Sequence, residues 1–201
     1  MKNHLITICI FLSTYVQSQQ LIPLNEKSYS DSLKTVVNSK VDNNAKANSY
    51  FLLSNFYRNT DSLLSKIYLE KAKAFSSKTT LNNAKYHYYE GWHFLESNKE
   101  KAAASFQKAI HEFSKIKTKE ADFYIASSWY NYGVTQKNKE GYPFLVKILV
   151  EKSIPQIEKY KDHKTLGQFY SQLAIILTYN AEFAKAFEYN TKAIKILEKN
   201  K

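Results

Sequence analysis

The fold of this chain is decided by residues 166–199, which read LGQFYSQLAIILTYNAEFAKAFEYNTKAIKILEK. Apolar and small residues recur there every three or four positions, and this spacing places them on one face of a helix. The first set is Leu166, Phe169, Tyr170, Leu173, Ala174 and Leu177, and the second is Phe183, Ala186, Phe187, Ala193, Ile194 and Leu197. A short connection at residues 180–182 separates the two sets. The stretch therefore predicts two antiparallel helices joined by a tight turn.

Small residues recur along the whole chain with a period of about 40 residues. One series is Ala72, Ala109, Ser153 and Ala193, and the other is Ser54, Gly91, Gly133 and Ala174. Two helix axes come close together only where the side chains between them are short. The two series therefore predict an all-α array of about four stacked antiparallel hairpins, each too small to bury its own apolar face.

The predicted hairpins follow from these series and from the helical spacing around them. The ranges are 43–57 with 62–75, 81–96 with 99–115, 121–136 with 143–160, and the quoted stretch. A short first helix is expected at 31–38. Pro143 follows Gly141 and suits the start of a helix, whereas Pro155 lies inside an apolar period and predicts a kink. With only 4 glycines and 3 prolines, the composition also favours helices.

The quoted hairpin resembles a tetratricopeptide repeat. Tyr170 falls where that family has Trp, and the family's other small and apolar positions are matched by Leu173, Ala174, Leu177, Phe183, Ala186 and Ala193. Asn190 departs from the pattern, since an aromatic residue is usual there. The family's period is about 34 residues, so this chain resembles variants with longer helices. The resemblance implies a right-handed superhelical α-solenoid, with residues 29–201 as its repeat domain.

Residues 1–18 resemble a secretory signal peptide, because a short basic start precedes an apolar run and then small residues near Ser18. The alternative is a membrane anchor, but spanning a bilayer takes about 20 apolar residues. Residues 19–28 are predicted to be a linker. We therefore expect an exported protein, periplasmic or secreted by a bacterium. Cleavage would remove Cys9, the only cysteine.

No catalytic or metal-binding motif is recognisable in the sequence. His87 and His93 do not share a helical face, and His111-Glu112 lacks the second histidine of a zinc protease. We therefore expect no enzyme activity, no cofactor and no metal. The formal charge of +11 is spread over scattered lysines, which does not favour nucleic acid but leaves an acidic protein or peptide partner open. A membrane contact is expected only if a downstream segment exists.

In the tetratricopeptide family, the first helices of the hairpins line a concave groove that holds a peptide or a partner helix. Counting from the small residues, the resemblance implies the following binding candidates: Asn55, Arg58, Tyr88, Trp92, Tyr130, Asn131, Lys137, Gln172 and Tyr179. For each aromatic residue the alternative is ordinary core packing. The expected function is therefore a non-catalytic scaffold for protein or peptide binding.

A second function stays open at this point. The chain is similar to the N-terminal exported repeats of Bacteroidetes-type regulators, which implies the sensory part of a longer membrane-bound transcriptional regulator or histidine kinase. No further helix follows the last hairpin in the sequence. We therefore expect either an open apolar edge at Ile196 and Leu197 or a natural protein that continues.

Overall fold

The computed structural model describes residues 26–76 and 80–198, and within these ranges the chain is helical. The helices are α1 (Glu26–Asn38), α2 (Asn43–Tyr57), α3 (Ser62–Ser76), α4 (Thr80–Phe94), α5 (Lys99–Ser114), α6 (Lys119–Ile148), α7 (Ile154–Glu158), α8 (His163–Tyr179) and α9 (Phe183–Glu198). The signal peptide prediction lies outside the described residues. The all-α array of four antiparallel hairpins is confirmed, with bounds close to those expected.

The first helix begins earlier than the sequence predicts, so residues 26–28 are helical rather than part of a linker. Lys27 and Asp31 form an ion pair of 2.7 Å one turn apart, which supports this extra turn. The Tyr29 ring also lies 5.8 Å from the Phe56 ring, so α1 packs on α2. The ion pair and the contact with α2 therefore account for a helix that begins before the residues with apolar spacing.

The hairpin helices begin at residues whose side chains cap the first turn. Asp42, Asn98, Thr118 and Asp162 each accept a hydrogen bond from the backbone N–H three residues on, at 2.9, 2.9, 3.2 and 3.0 Å. A free backbone donor at a helix start is satisfied in this way, and such a cap is typically worth about 1 kcal/mol. The short connections thus carry the stop and start signals that divide the chain into hairpins.

Both series of small residues lie at close helix contacts, as predicted. Ser54, Ala72, Ala109 and Ser153 are almost completely buried. A Cβ atom at Gly91 would lie 2.6 Å from the Phe106 ring, and one at Gly133 would lie 2.6 Å from Leu145. Larger side chains have no room at these positions, so the two helices of each hairpin are held in register by them.

The third hairpin differs from the others because the range given for α6 contains two helices, and the chain reverses between them at Gly141 with almost no connecting loop. α6 is interrupted only at Gly141, whose φ of 78° and ψ of 178° are readily adopted by glycine alone. Pro143 begins the next helical turn, as predicted. Before Pro155 the chain forms a π-helical turn over Leu149–Ser153, in which the Ile154 N–H donates to the Leu149 carbonyl. The wider turn accommodates the proline ring, so the helix continues.

Stacking joins each hairpin to the next through its first helix and through its second helix, since α3 contacts α4 and α5 contacts α6. α2 contacts α4, α4 contacts α6, and α6 contacts α8. Such nearest-neighbour packing is typical of a solenoid, in which interfaces between hairpins supply most of the stability.

The last hairpin does expose an apolar face, as one of the two expectations has it, but Ile196 and Leu197 do not form it, and that assignment is wrong. Leu197 packs so closely on Gly167 that a Cβ there would lie 2.7 Å from its Cγ. Ile196 packs against the core of the last two hairpins. The exposed apolar residues of the last hairpin lie on another face. They are Ile175, Tyr179, Phe183, Phe187 and Ile194.

The carboxylate of Glu90 links the two helices of hairpin 2. The Glu90 carboxylate accepts hydrogen bonds from Ser105 at 2.9 Å and Tyr86 at 3.1 Å, and it lies 3.5 Å from the His87 ring. Burial alone would raise the pKa of Glu90, but the hydrogen bonds from His87, Ser105 and Tyr86 outweigh burial and lower it to about 2. The ionised carboxylate therefore stabilises hairpin 2.

Of the helices described, none is both long and apolar enough to cross a lipid bilayer.

Candidate functional site

A cleft of about 210 Å³ opens between the first helices α4, α6 and α8. We refer to it as the cleft, and its lining comes from three consecutive hairpins. The lining residues are Tyr88, Trp92, Ser127, Tyr130, Asn131, Thr165, Gln168, Phe169 and Gln172. The stacking of the hairpins thus brings together side chains that are far apart in the sequence.

Arg58, from the end of α2, lies at the rim of the cleft. Its guanidinium carbon is 4.0 Å from the centroid of the Trp92 ring, which is a close cation–π contact. Burial lowers the pKa of Arg58, and the nearby Glu96 and Tyr88 partly oppose this shift. An arginine stays protonated under all physiological conditions, so a fixed positive charge stands beside the cleft.

The tyrosines of the cleft are held in their protonated form. Burial raises the pKa of Tyr88, while hydrogen bonds with Trp92, Ser127 and Asn131 partly counteract the shift. Burial also raises the pKa of Tyr130. The Tyr88 hydroxyl is already engaged by these neighbours, whereas the protonated phenol of Tyr130 can both donate and accept a hydrogen bond.

The lining of the cleft combines aromatic rings with uncharged polar groups. None of the described residues that line it is a carboxylate or an amine. The side-chain amides of Gln168 and Gln172 each offer a donor and an acceptor, which is the pair that a peptide group requires, whereas Asn131 is almost completely buried and hydrogen-bonds with Tyr88. The rings of Trp92 and Tyr130 offer apolar faces beside them. This chemistry suits an uncharged, extended segment with polar groups along it, rather than a reactive substrate.

No metal centre is found among residues 26–76 and 80–198, since no three His, Cys, Asp or Glu side chains there are grouped to hold an ion.

The structure brings most of the sequence-predicted site residues together. Tyr88, Trp92, Tyr130, Asn131 and Gln172 all line the cleft. The aromatic residues are half-buried, because they also belong to the packing between hairpins. The same aromatic side chains therefore pack between the hairpins and also line the cleft.

Trp92 and Tyr130 show this double role directly. The Trp92 ring meets the Phe106 ring edge-on at 6.4 Å, and the Tyr130 ring meets Phe169 edge-on at 6.5 Å. Truncating either ring would therefore disturb packing as well as the cleft. Variants that test binding are better made at Gln168 or Gln172.

Three predicted site residues lie away from the cleft. Asn55 is exposed on α2 and does not line it. Lys137 and Tyr179 instead meet at Tyr142, where the ammonium of Lys137 lies 5.5 Å from the ring centroid and Tyr179 stacks at 5.7 Å. The break at Gly141 brings Tyr142 to this place, and counting residues could not anticipate it.

The sequence reasoning missed Ser127, Thr165 and Gln168 as lining residues. Two of them follow a rule that the sequence does contain, because Ser127 and Gln168 each stand six positions before the small residue of a first helix. Six positions place a side chain about 120° around the helix from the small residue, outside the face that packs within the hairpin. Because Ser127 and Gln168 are polar, they do not contribute to the apolar spacing from which the helix faces were predicted.

The same position in hairpins 1 and 2 is occupied by Asn48 and Lys85, and there the groove is filled. Lys85 is almost completely buried, and its ammonium donates to Asn48 at 3.0 Å. It also forms an ion pair with Glu120 at 2.6 Å. These three side chains satisfy one another, whereas Ser127 and Gln168 leave the next part of the surface open. The accessible groove is therefore confined to hairpins 2–4.

Solved structures share this fold, two of which are as follows. The crystal structure of BtubC (BKLC) from P. vanneervenii matches with a TM-score of 0.59 and 17% identity, over 86% of this chain and 72% of that one. The crystal structure of aspartyl phosphate phosphatase F from Bacillus subtilis matches with a TM-score of 0.67 and 20% identity, over 87% of this chain. This chain spans 45% of that phosphatase. At these identities the likeness shows the helical-repeat fold alone.

No protein-family model matches the sequence, and no curated protein matches it either.

Proposed function

We propose that this protein is a non-catalytic helical-repeat scaffold that binds an extended segment of a protein or peptide in the cleft, with an acidic side chain flanking that segment at the rim. The observation that carries this proposal is the composition of the cleft. Uncharged amides and hydroxyls stand beside aromatic faces, and the guanidinium of Arg58 lies at the rim.

The amides determine the first part of the proposal. An extended peptide presents unpaired N–H and C=O groups, which lose water when the peptide enters a cleft and must find partners. Gln168 and Gln172 can supply both kinds of partner. The cleft volume of about 210 Å³ has room for a short segment only, so the contact in the cleft is local.

The charge determines the second part. Arg58 is the cation nearest to the lining aromatics, and its contact with Trp92 holds it in place. An acidic side chain that flanks the bound segment would be attracted to Arg58, and this attraction would weaken as salt screens the charges.

The location of the protein forms part of the proposal as well. The apolar leader supports export to the periplasm or the exterior, where the scaffold would meet its partner. Expression with the leader in a Gram-negative host tests this. We expect recovery outside the cytoplasm and an intact mass that starts at Gln19, whereas a retained leader would contradict export.

The alternative is that the chain forms the periplasmic sensory portion of a longer regulator of the Bacteroidetes type. It would use the cleft in the same manner and pass the occupied state to a downstream segment. Reading the gene beyond codon 201 discriminates between the two, since a membrane helix and an output domain are required by the alternative only.

The binding experiment uses acidic, neutral and basic peptide pools of equal length on the immobilised protein. We expect retention of acidic peptides, and weaker retention when Gln168 or Gln172 is replaced by Glu. Each change places a carboxylate in the cleft with little effect on packing. Gln107→Glu on the exposed side of α5 is the matched control and should bind as the wild type does. Equal retention by all four proteins, or a preference for basic peptides, would contradict the proposal.

A further inference from the structure

The last hairpin carries an exposed apolar surface that is separate from the cleft. Phe187 is 75% exposed, Tyr179 69%, Phe183 66% and Ile175 56%. Beside these side chains lies a hollow of about 250 Å³. The hollow is lined by Ala174, Ile175, Thr178, Phe183, Ala186, Phe187 and Asn190, none of which carries a charge. We call this surface the end face, and such a concentration of exposed aromatic groups marks an interaction site.

The end face continues an interface that the array already uses. In the repeat register, Thr178, Ala186 and Asn190 correspond to Leu95, Ala102 and Phe106 of hairpin 2. Those three residues form a buried core cluster. That cluster is covered by Tyr132 and Val134 from the next hairpin. The end face is therefore equivalent to a surface that is covered by a helix elsewhere in the same molecule.

Its side chains, however, differ from those of a regular hairpin interface. Thr178 and Asn190 replace Leu95 and Phe106, which hollows the surface and makes its floor more polar. Phe183 and Phe187 replace Lys99 and Ala103, which raises an aromatic ridge beside the hollow. A ridge and a hollow on one surface are self-complementary, because a second copy turned by a two-fold axis presents its ridge to the hollow.

The spacing along α9 supports the same pairing. Phe183, Phe187, Asn190 and Ile194 are separated by four, three and four positions, which is the spacing of a coiled-coil seam. Asn190 lies near the middle of the helix. In an antiparallel pair about a two-fold axis, Phe187 would meet the partner subunit's Ile194. Asn190 would meet the partner subunit's Asn190, and such a polar pair fixes register in a seam.

We propose that the end face is the interface of a symmetric homodimer, in which α9 pairs antiparallel with α9 of a second copy. The two clefts then stay accessible, since the end face and the cleft share no lining residue. The dimer presents two binding sites to one partner or to neighbouring segments. The formal charge of +11 on each copy opposes the pairing at low ionic strength, so dimerisation should strengthen as salt is added.

The experiment measures molar mass by light scattering over the micromolar to millimolar range, at low and physiological salt. We expect a monomer–dimer equilibrium for the wild type. Phe187→Lys should raise the dissociation constant by at least about tenfold. Leu63→Lys is the matched control, because Leu63 is 71% exposed on α3, far from the end face, and this variant should dimerise as the wild type does. Circular dichroism verifies that both variants keep their helices.

A cross-link tests the symmetry. In a Cys9→Ser background, Asn190→Cys should give a disulfide-linked dimer on mild oxidation, and Leu63→Cys should not. A wild type that is monomeric throughout would overturn the proposal and assign the end face to a different protein or to a following hairpin. So would a dimer that Phe187→Lys leaves unchanged, or one that links through Leu63→Cys and not through Asn190→Cys.

Discussion

Gly91 offers a sharp test of how the hairpins interlock, and we predict that Gly91→Ala destabilises the protein. A new Cβ would lie 2.6, 2.7 and 2.8 Å from three atoms of the Phe106 ring. Phe106 is completely buried and packs edge-on against Tyr88 and Trp92. The ring cannot move without disturbing its neighbours, so the overlap has no easy relief.

The magnitude follows from two opposing effects. Ala is favoured over Gly inside a helix by up to about 1 kcal/mol. Forcing a methyl group into a well-packed core costs about 1–3 kcal/mol. We therefore expect a net loss of about 1–2 kcal/mol, which corresponds to roughly 2–8 °C in the melting temperature of a domain of this size. The sign alone is informative, because helix propensity predicts the opposite one.

The assay is urea unfolding followed by circular dichroism, with Gly167→Ala as the matched control. Its Cβ would approach Leu197 at a similar 2.7 Å, but Leu197 is half-buried near the end of α9 and can move aside. This control should be nearly neutral. Phe106→Leu combined with Gly91→Ala should be less destabilising than the sum of the two single changes. A stabilising Gly91→Ala, or strictly additive effects in the double variant, would refute the reasoning.

Three further predictions concern buried groups. Because the pKa of Glu90 is about 2 in the folded protein and 4.5 ordinarily, its ionised form contributes stability above about pH 4.5 that is lost as the pH falls toward 2. Unfolding measured across this range should therefore show a smaller acid-induced loss for Glu90→Gln than for the wild type. Lys85→Ala should lower the free energy of unfolding, measured in urea, by about 2–4 kcal/mol, because it leaves Asn48 and Glu120 without their shared cation. Lys108→Ala, on the exposed side of α5, is the control and should leave the free energy of unfolding unchanged. Ala109→Leu should destabilise by about 1–3 kcal/mol, since Ala109 is completely buried, and equal effects of Ala109→Leu and Lys101→Leu would contradict the register of the repeats.

The fold could be predicted from the sequence because close packing of helices requires small residues at regular positions. Gly91 and Ala109 must be small for the helices to approach, and this steric demand recurs with each hairpin. The helix starts were accessible for a similar reason, since capping side chains such as Asn98 are chemically distinct. What recurs with a fixed period can be read without the structure.

The site could be predicted only in part, because its polar residues do not recur at a regular spacing in the sequence. Gln168 and Ser127 are ordinary surface residue types, and only the packing of α6 and α8 places them beside Tyr130. A lysine is normally expected at the surface, but Lys85 is almost completely buried. Its partners Asn48 and Glu120 come from other hairpins. Long-range pairing of this kind depends on tertiary geometry.

The exposed face of the last hairpin was predicted on the wrong side for a related reason. Both sides of α9 are rich in apolar residues, so the apolar period alone does not tell which side faces the hairpin. The close approach of Leu197 to Gly167 settles it, and Phe187 is left in solvent.

The cleft between α4, α6 and α8 is the centre of this account, and site-specific photo-cross-linking tests it most directly. A photoreactive amino acid at Gln168, whose side chain lies in the cleft and is exposed, should capture the natural partner when intact cells are irradiated. The same amino acid at Gln107 on α5 should capture nothing. A cross-linked product at Gln168 alone is the predicted result. Capture at Gln107 with none at Gln168 would contradict the assignment of the cleft as the binding site.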